Sequence, residues 1–334
     1  MPPLTTQAIK SSHAVVTTLH TTPRNILVAF DDGIVNIFDL EGKNERVLMA
    51  SERGGVWAMD TWFEEGREEE EWLAVGGTDC LVGVWSLRRL EKMSTLSGHQ
   101  NTVRCIATLS ATQVLSGSRD STLRIWNINT STCEAILDGH TKTIRHFAVK
   151  DNIAVSASYD SDARVWDLRT RKCVHVLRDH DEKVYVVKFD GRRIVTGSMD
   201  RTVRVWDPVS GTCRAVLRGH NSLVGLLELT NTSLITAGAD GDIFSWSLDD
   251  YAEEWRVDAH GNAVTALHSN GQMIASGGSD GKVKVWNAQT GAVISELLDS
   301  DAVWQVAILG QKILVFFMKK NNVIMEFWAV PASS

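Results

Sequence analysis

The chain has 334 residues, 43% of them apolar, and a formal net charge of −7 at pH 7. That is enough apolar side chain for a packed core, and no run of about 18 apolar residues exists to span a membrane. An acidic chain is also a poor partner for nucleic acid, so any anion site has to be local.

The N-terminal stretch MPPLTTQAIKSSH has no charged segment followed by an apolar one, so no secretory signal is visible. Five cysteines without a C-x-x-C pair read as reduced thiols of an intracellular protein. Residues 1–12 predict a short extended segment with no partner strands of its own. The first repeat unit follows: VVTTLH, then ILVAF, an Asp32-Gly33 turn and IVNIFD, ending at Phe38. Asp-Gly between two apolar β runs is a hairpin signal, because both turn positions need positive φ. The second unit begins at Val56-Trp57 and carries an insertion, 63–71, with six glutamates. It reads as a solvated loop on the face away from the groove described below.

From Gly98 the pattern becomes regular. Trp126, Trp166, Trp206, Trp246 and Trp286 each follow the last by 40 residues, as do Asp120, Asp160, Asp200, Asp240 and Asp280. His140, His180, His220 and His260 keep the same interval, with His99 one residue out of step. A four-strand unit with Gly-His near its start and Trp-Asp near its end repeats every 40–45 residues or so. The chain thus resembles the WD-repeat β-propellers, with literal Trp-Asp at Trp166-Asp167 and Trp206-Asp207. The last unit, from Val303-Trp304 through ILVFFM and VIMEFW, has only three strands, and an open edge is a liability. Residues 4–10 are expected to supply the fourth. Unit ends at Phe38, Trp85, Trp126, Trp166, Trp206, Trp246, Trp286 and Phe327 predict an all-β, single eight-bladed propeller. Residues 1–12 would close it and 13–330 would form the blades; seven blades with a degenerate end is the alternative.

Ser116, His99 and Asp120 have the composition of a catalytic triad. The set recurs as Ser156/His140/Asp160, Thr196/His180/Asp200, Thr236/His220/Asp240 and Ser276/His260/Asp280. A nucleophile is needed once, so five copies imply a stapling network with the tryptophans. No unique nucleophile, metal-ligand spacing or cofactor motif is present. The expected function is therefore non-catalytic, with no metal or cofactor.

Function must be read from positions that the repeat leaves free. One is the second residue of each blade's first strand: Thr17, Trp57, Arg104, Arg145, Tyr185, Gly225, Thr265 and Trp304. The other directly precedes the turn aspartate: Asp31, Thr78, Arg119, Tyr159, Met199, Ala239 and Ser279. Blades two to five so contribute a basic and aromatic crescent within an acidic protein. Guanidinium forks suit phosphate, and a phosphorylated side chain carries about −1.5 to −2 charge on three acceptor oxygens. Arg104, Arg119, Arg145 and Tyr159 are the expected phosphate site. Arg124, Arg164 and Arg204, two residues before the tryptophans, read as structural or solvated.

At these residues a more specific resemblance appears. TVRC at 102–105, SGSRD at 116–120, IR at 144–145, SASYD at 156–160 and KVY at 183–185 follow one pattern blade by blade. So do GGVW at 54–57 and FDGRRIVTGSMDRTVRVWD at 189–207. The chain is similar over its length to the C-terminal propeller of the F-box/WD-repeat substrate receptors of SCF ubiquitin ligases, in the cell-division-control/cyclin E receptor branch. The resemblance implies binding of phospho-Thr/Ser-Pro degrons at Arg104, Arg119, Arg145 and Tyr159. It also implies a peptide groove of Trp57, Thr78, Thr102, Tyr185, Met199 and Trp304. No F-box precedes the blades, so the SCF adaptor and cullin would be partners only if an F-box is supplied elsewhere. Phosphorylated proteins are the expected partners, with neither nucleic acid nor membrane. A WD-repeat scaffold without phosphate specificity is the competing expectation.

Overall fold

The computed structural model describes residues 3–9, 14–64 and 71–330; most of the glutamate-rich insertion lies outside them. The described residues form strands and no helix, arranged as eight four-stranded sheets. In seven of these sheets the four strands follow one another in sequence. Blade three, for example, runs Val103–Ser110, Gln113–Ser118, Leu123–Asn127 and Thr132–Leu137. In blade one, Gly33 follows the Asp32 turn at φ 90°, and a Cβ there would lie 2.0 Å from the Ser51 carbonyl oxygen. Only glycine fits that hairpin.

The chain divides into two compact units, one of residues 15–191 and 208–211, the other of 1–14, 192–207 and 212–334. Within the first, sheets stack face to face. Leu27, Ala29, Val35 and Ile37 of blade one pack on Val56, Met59, Leu73 and Val75 of blade two. Cys105, Leu115, Leu123 and Ile125 pack likewise on Ile144, Phe147 and Ala154. Second strands such as Gln113–Ser118 are therefore buried on both faces, whereas the outer strand Thr132–Leu137 is largely open.

In the second unit, Thr5–Ala8 pairs with Asn322–Ala329, with Thr5 opposite Phe327 and Ala8 opposite Ile324. The N-terminal segment thus supplies the fourth strand of the eighth blade. The end of that blade differs from the expectation by one residue. Trp328 stands opposite Ile313, the place that Trp126 takes opposite Val114, and Phe327 lies one step earlier. The reason is local: the second and third strands run on to a two-residue turn at Lys320-Asn321, where φ is 51° and 62°.

The repeated polar set is a structural network. In blade four, His140 joins Asp160 through Nδ1 at 2.8 Å and Ser156 through Nε2 at 2.7 Å, and Trp166 Nε1 donates to Ser156 Oγ at 2.9 Å. Blades three, six and seven repeat this with His99, His220 and His260. The second carboxylate oxygen of Asp160 accepts the Asp162 N–H, and the first also takes Thr141 N–H. With both carboxylate oxygens engaged, such a network fixes the turn to the core. Arg124 and Arg164 belong to the same construction. Arg124 lies 5.7 Å over the Trp126 ring, and its guanidinium fills the space beside Gly98, where a Cβ would come within 2.6 Å.

Two ionisations make this framework acid-sensitive. Burial pushes the Asp160 carboxyl up, but His140 and the N–H donors of Thr141 and Asp162 outweigh it and bring it to about 2. His146 is buried beside Lys188 and Arg145, which together hold its ring at about 3. Both values lie below those of the unfolded chain, so the unfolded state binds protons first as pH falls. The His146 contribution is then present above 6.5 and lost towards 3; that of Asp160 is present above 3.8 and lost through about 2. Urea midpoints are expected to be level above about pH 7 and to fall steadily on acidification, less steeply in His146→Gln.

Candidate phosphate-binding site

Arg104 and Arg145 owe their placement to a repeated irregularity of the backbone. Cross-strand pairing in the first strands jumps from Val56 to Ala58, from Val103 to Cys105 and from Ile144 to His146. Trp57, Arg104 and Arg145 are therefore bulge residues, and a bulge re-aims its side chain out of the ladder. The same jump occurs at Thr17, Gly225, Thr265 and Trp304. Residues before the turn aspartate reach the same end of their blades. The backbone N–H groups of Thr78, Arg119 and Tyr159 donate to the carbonyls of Gly55, Thr102 and Thr143, at 3.1, 2.9 and 2.9 Å. Each acceptor stands two residues before a bulge.

All but two of the expected site residues lie in the 15–191 unit. Arg104 stacks on Trp57, 4.7 Å from its ring centroid, and Arg145 on Tyr185 at 4.6 Å. Tyr185 stacks in turn on Tyr159, with centroids 6.0 Å apart and an interplanar angle of 23°. Lys183 Nζ lies 5.2 Å over Tyr159, a cation that the residue pattern alone did not single out. All the side chains of this row except the exposed Lys183 are half-buried. Burial and the neighbouring Arg145 charge both push the Arg104 pKa below its ordinary value. Burial and Tyr185 push the Tyr159 phenol up. Burial acts on Tyr185 in the same sense, but the charge and hydrogen bond of Arg145, with Arg104, outweigh it and lower that phenol. Among the described residues neither Arg104 nor Arg145 has a carboxylate partner, and the buried Nε of Arg145 has no hydrogen-bond acceptor. Two guanidiniums are thus held within each other's field with no acid between them.

The remaining residues are placed differently. Arg119 is exposed, fixed by its backbone but with its side chain in solvent. Thr78 is exposed beside Gly54, whereas Thr102 is only 7% exposed and takes part through its carbonyl. Met199, 36% exposed, and the half-buried Trp304 belong to the other unit. A cavity of about 560 Å³ bounded by Trp62, Trp72, Lys92, Met93 and Ile128 lies elsewhere in the 15–191 unit and includes none of the arginines.

The family model described as WD domain, G-beta repeat matches residues 90–127, 131–167, 171–207 and 253–287. The chain is similar to the DENN domain and WD repeat-containing protein SCD1 of Arabidopsis thaliana, 28% identical over 36% of this chain and 10% of that protein. It is similar to a WD repeat-containing protein 26 homolog of Drosophila melanogaster, at 26% over 35% of this chain and 19% of that one. It also resembles nuclear distribution protein PAC1 of Arthroderma otae, at 31% over 34% and 26%. The matches therefore span from a tenth to about a quarter of those relatives' lengths. Among solved structures, the computationally designed Ika8 protein superposes with a TM-score of 0.86 over 97% of this chain and 98% of that one, at 24% identity. The chain is an all-β, eight-bladed β-propeller that carries WD40 repeats.

Proposed function

We propose that this propeller is a non-catalytic recognition module for peptides phosphorylated on Thr or Ser before Pro. Arg104, Arg119, Arg145 and Tyr159 would bind the phosphate, and Trp57, Thr78, Thr102, Tyr185, Met199 and Trp304 would line the peptide groove. The observation that carries this reading is the pair Arg104 and Arg145, each half-buried over an aromatic ring, within each other's field and without a carboxylate partner among the described residues. A doubly charged oxyanion is the ligand that relieves such a pair, and each charged hydrogen bond contributes about 1.5–3 kcal/mol. The likeness to the F-box/WD-repeat receptors extends the reading to recruitment of substrates for SCF-type ubiquitination, in nucleus and cytoplasm, with the F-box supplied elsewhere. The breadth of names among the relatives favours the second reading, a general protein-complex scaffold.

Calorimetry with a doubly phosphorylated Thr-Pro peptide and its unphosphorylated twin separates the two. We expect micromolar binding of the first alone, weakening as salt rises; equal binding of both would support the scaffold. The pH profile should be bell-shaped. Affinity should fall below about pH 6, where phosphate takes up its second proton. It should fall again in alkali, as the lowered Tyr185 phenol ionises and adds negative charge beside the arginines.

A further inference from the structure

We infer that Trp57 and Tyr185 are positioning residues for the anion site: each holds a neighbouring blade's guanidinium over its ring, so that Arg104 and Arg145 are kept within each other's field before a ligand arrives. The inference rests on the phosphate-binding reading above. Trp57 of blade two carries Arg104 of blade three, and Tyr185 of blade five carries Arg145 of blade four. Tyr159 stacks on Tyr185, and Lys183 lies over Tyr159. The result is a group of rings and cations in which each of the two arginines has an aromatic ring of a neighbouring blade against it.

The physical need is clear. Two like charges on long side chains separate into solvent when nothing restrains them. A π face attracts a guanidinium, and its planar fork loses less freedom on binding once it is already oriented. Affinity then gains from order established in the free protein. Elsewhere the bulge position reaches the next blade through a hydroxyl: Thr17 Oγ1 donates to the Val56 carbonyl at 2.5 Å, and Thr265 Oγ1 to that of Val303 at 2.7 Å. In blades two to five the same position carries a ring or a guanidinium, so the link between blades also orients charge. A ring face covered by a guanidinium is closed to a ligand side chain. The covered face serves the arginine, and only what remains of each ring can line the groove.

The test uses Trp57→Leu, Trp57→Phe, Tyr185→Leu and Tyr185→Phe in the full chain. Each is titrated with a phosphothreonine-proline peptide and its unphosphorylated twin, and arginine Nε–H resonances are recorded without ligand. We expect the leucine variants to lose roughly five- to tenfold in affinity for the phosphorylated peptide only. The arginine resonance should lose its ring-current shift, and the phenylalanine variants should retain both properties. Unchanged affinity for the phosphorylated peptide in the leucine variants, or a loss of affinity with the arginine resonance unmoved, overturns the inference and leaves phosphate binding standing. A wild-type protein that does not distinguish the peptides overturns the phosphate reading itself.

Discussion

Arg104→Ala is expected to weaken phosphothreonine-peptide binding by about 10- to 100-fold while moving Tm by less than about 2 °C. The affinity loss follows from removing one or two charge-assisted bonds, at about 1.4 kcal/mol for each tenfold. The small thermal effect follows from the bulge. Arg104 has no cross-strand partner and no ion pair among the described residues, so the folded state does not depend on its charge. Removing it even relieves repulsion with Arg145. Arg145→Ala should behave alike, and Arg119→Ala should cost less, because its exposed side chain is screened by solvent. Differential scanning fluorimetry beside calorimetry decides the matter. A Tm that falls by several degrees in step with affinity would mean that these arginines are structural.

Trp166→Ala should have the opposite profile. Trp166 is 2% exposed, packs in the core shared with blade three and donates to Ser156. Its truncation leaves a cavity and frees a buried hydroxyl, a loss of about 3–5 kcal/mol. Ser156→Ala should cost about 1–3 kcal/mol, since the His140 and Trp166 ring nitrogens both lose their partner. Chemical denaturation measures both changes. Affinity for the phosphopeptide at low temperature should stay within about threefold of wild type, because neither residue reaches the arginines. A Trp166→Ala protein as stable as wild type would show that the polar network is incidental.

The blade count, the closing role of the N-terminal strand and the His-Asp-Ser/Thr-Trp network were legible in the sequence because hydrogen-bond geometry demands the same residue types at the same interval. Blade eight was misread by one residue because its turn at Lys320-Asn321 has no aspartate to mark register. At the candidate site, the positions were legible as those the repeat leaves variable, but their cause was not. A bulge has no residue signature of its own: Thr17, Trp57, Arg104 and Gly225 share a backbone shift and no chemistry. The stacking of Arg104 on Trp57 was equally invisible, since those residues lie 47 positions apart in sequence. Burial of Thr102 could not be inferred from a polar residue next to Asn101; it follows from the Arg119 backbone bond that closes over it.

Because each bulge residue stands outside the ladder, what it is made of and whether its blade forms are nearly independent matters. Exchanging Trp57 for Thr, or Gly225 for Arg, leaves the cross-strand pairing of the ladder as it is. Binding preference in such a molecule can drift, or be rewritten by design, without rebuilding the sheets, although bulge residues that stack across blades, as Trp57 and Arg104 do, have to change together. The backbone works as a set of interchangeable sockets, and the ligand is chosen by what is plugged into them.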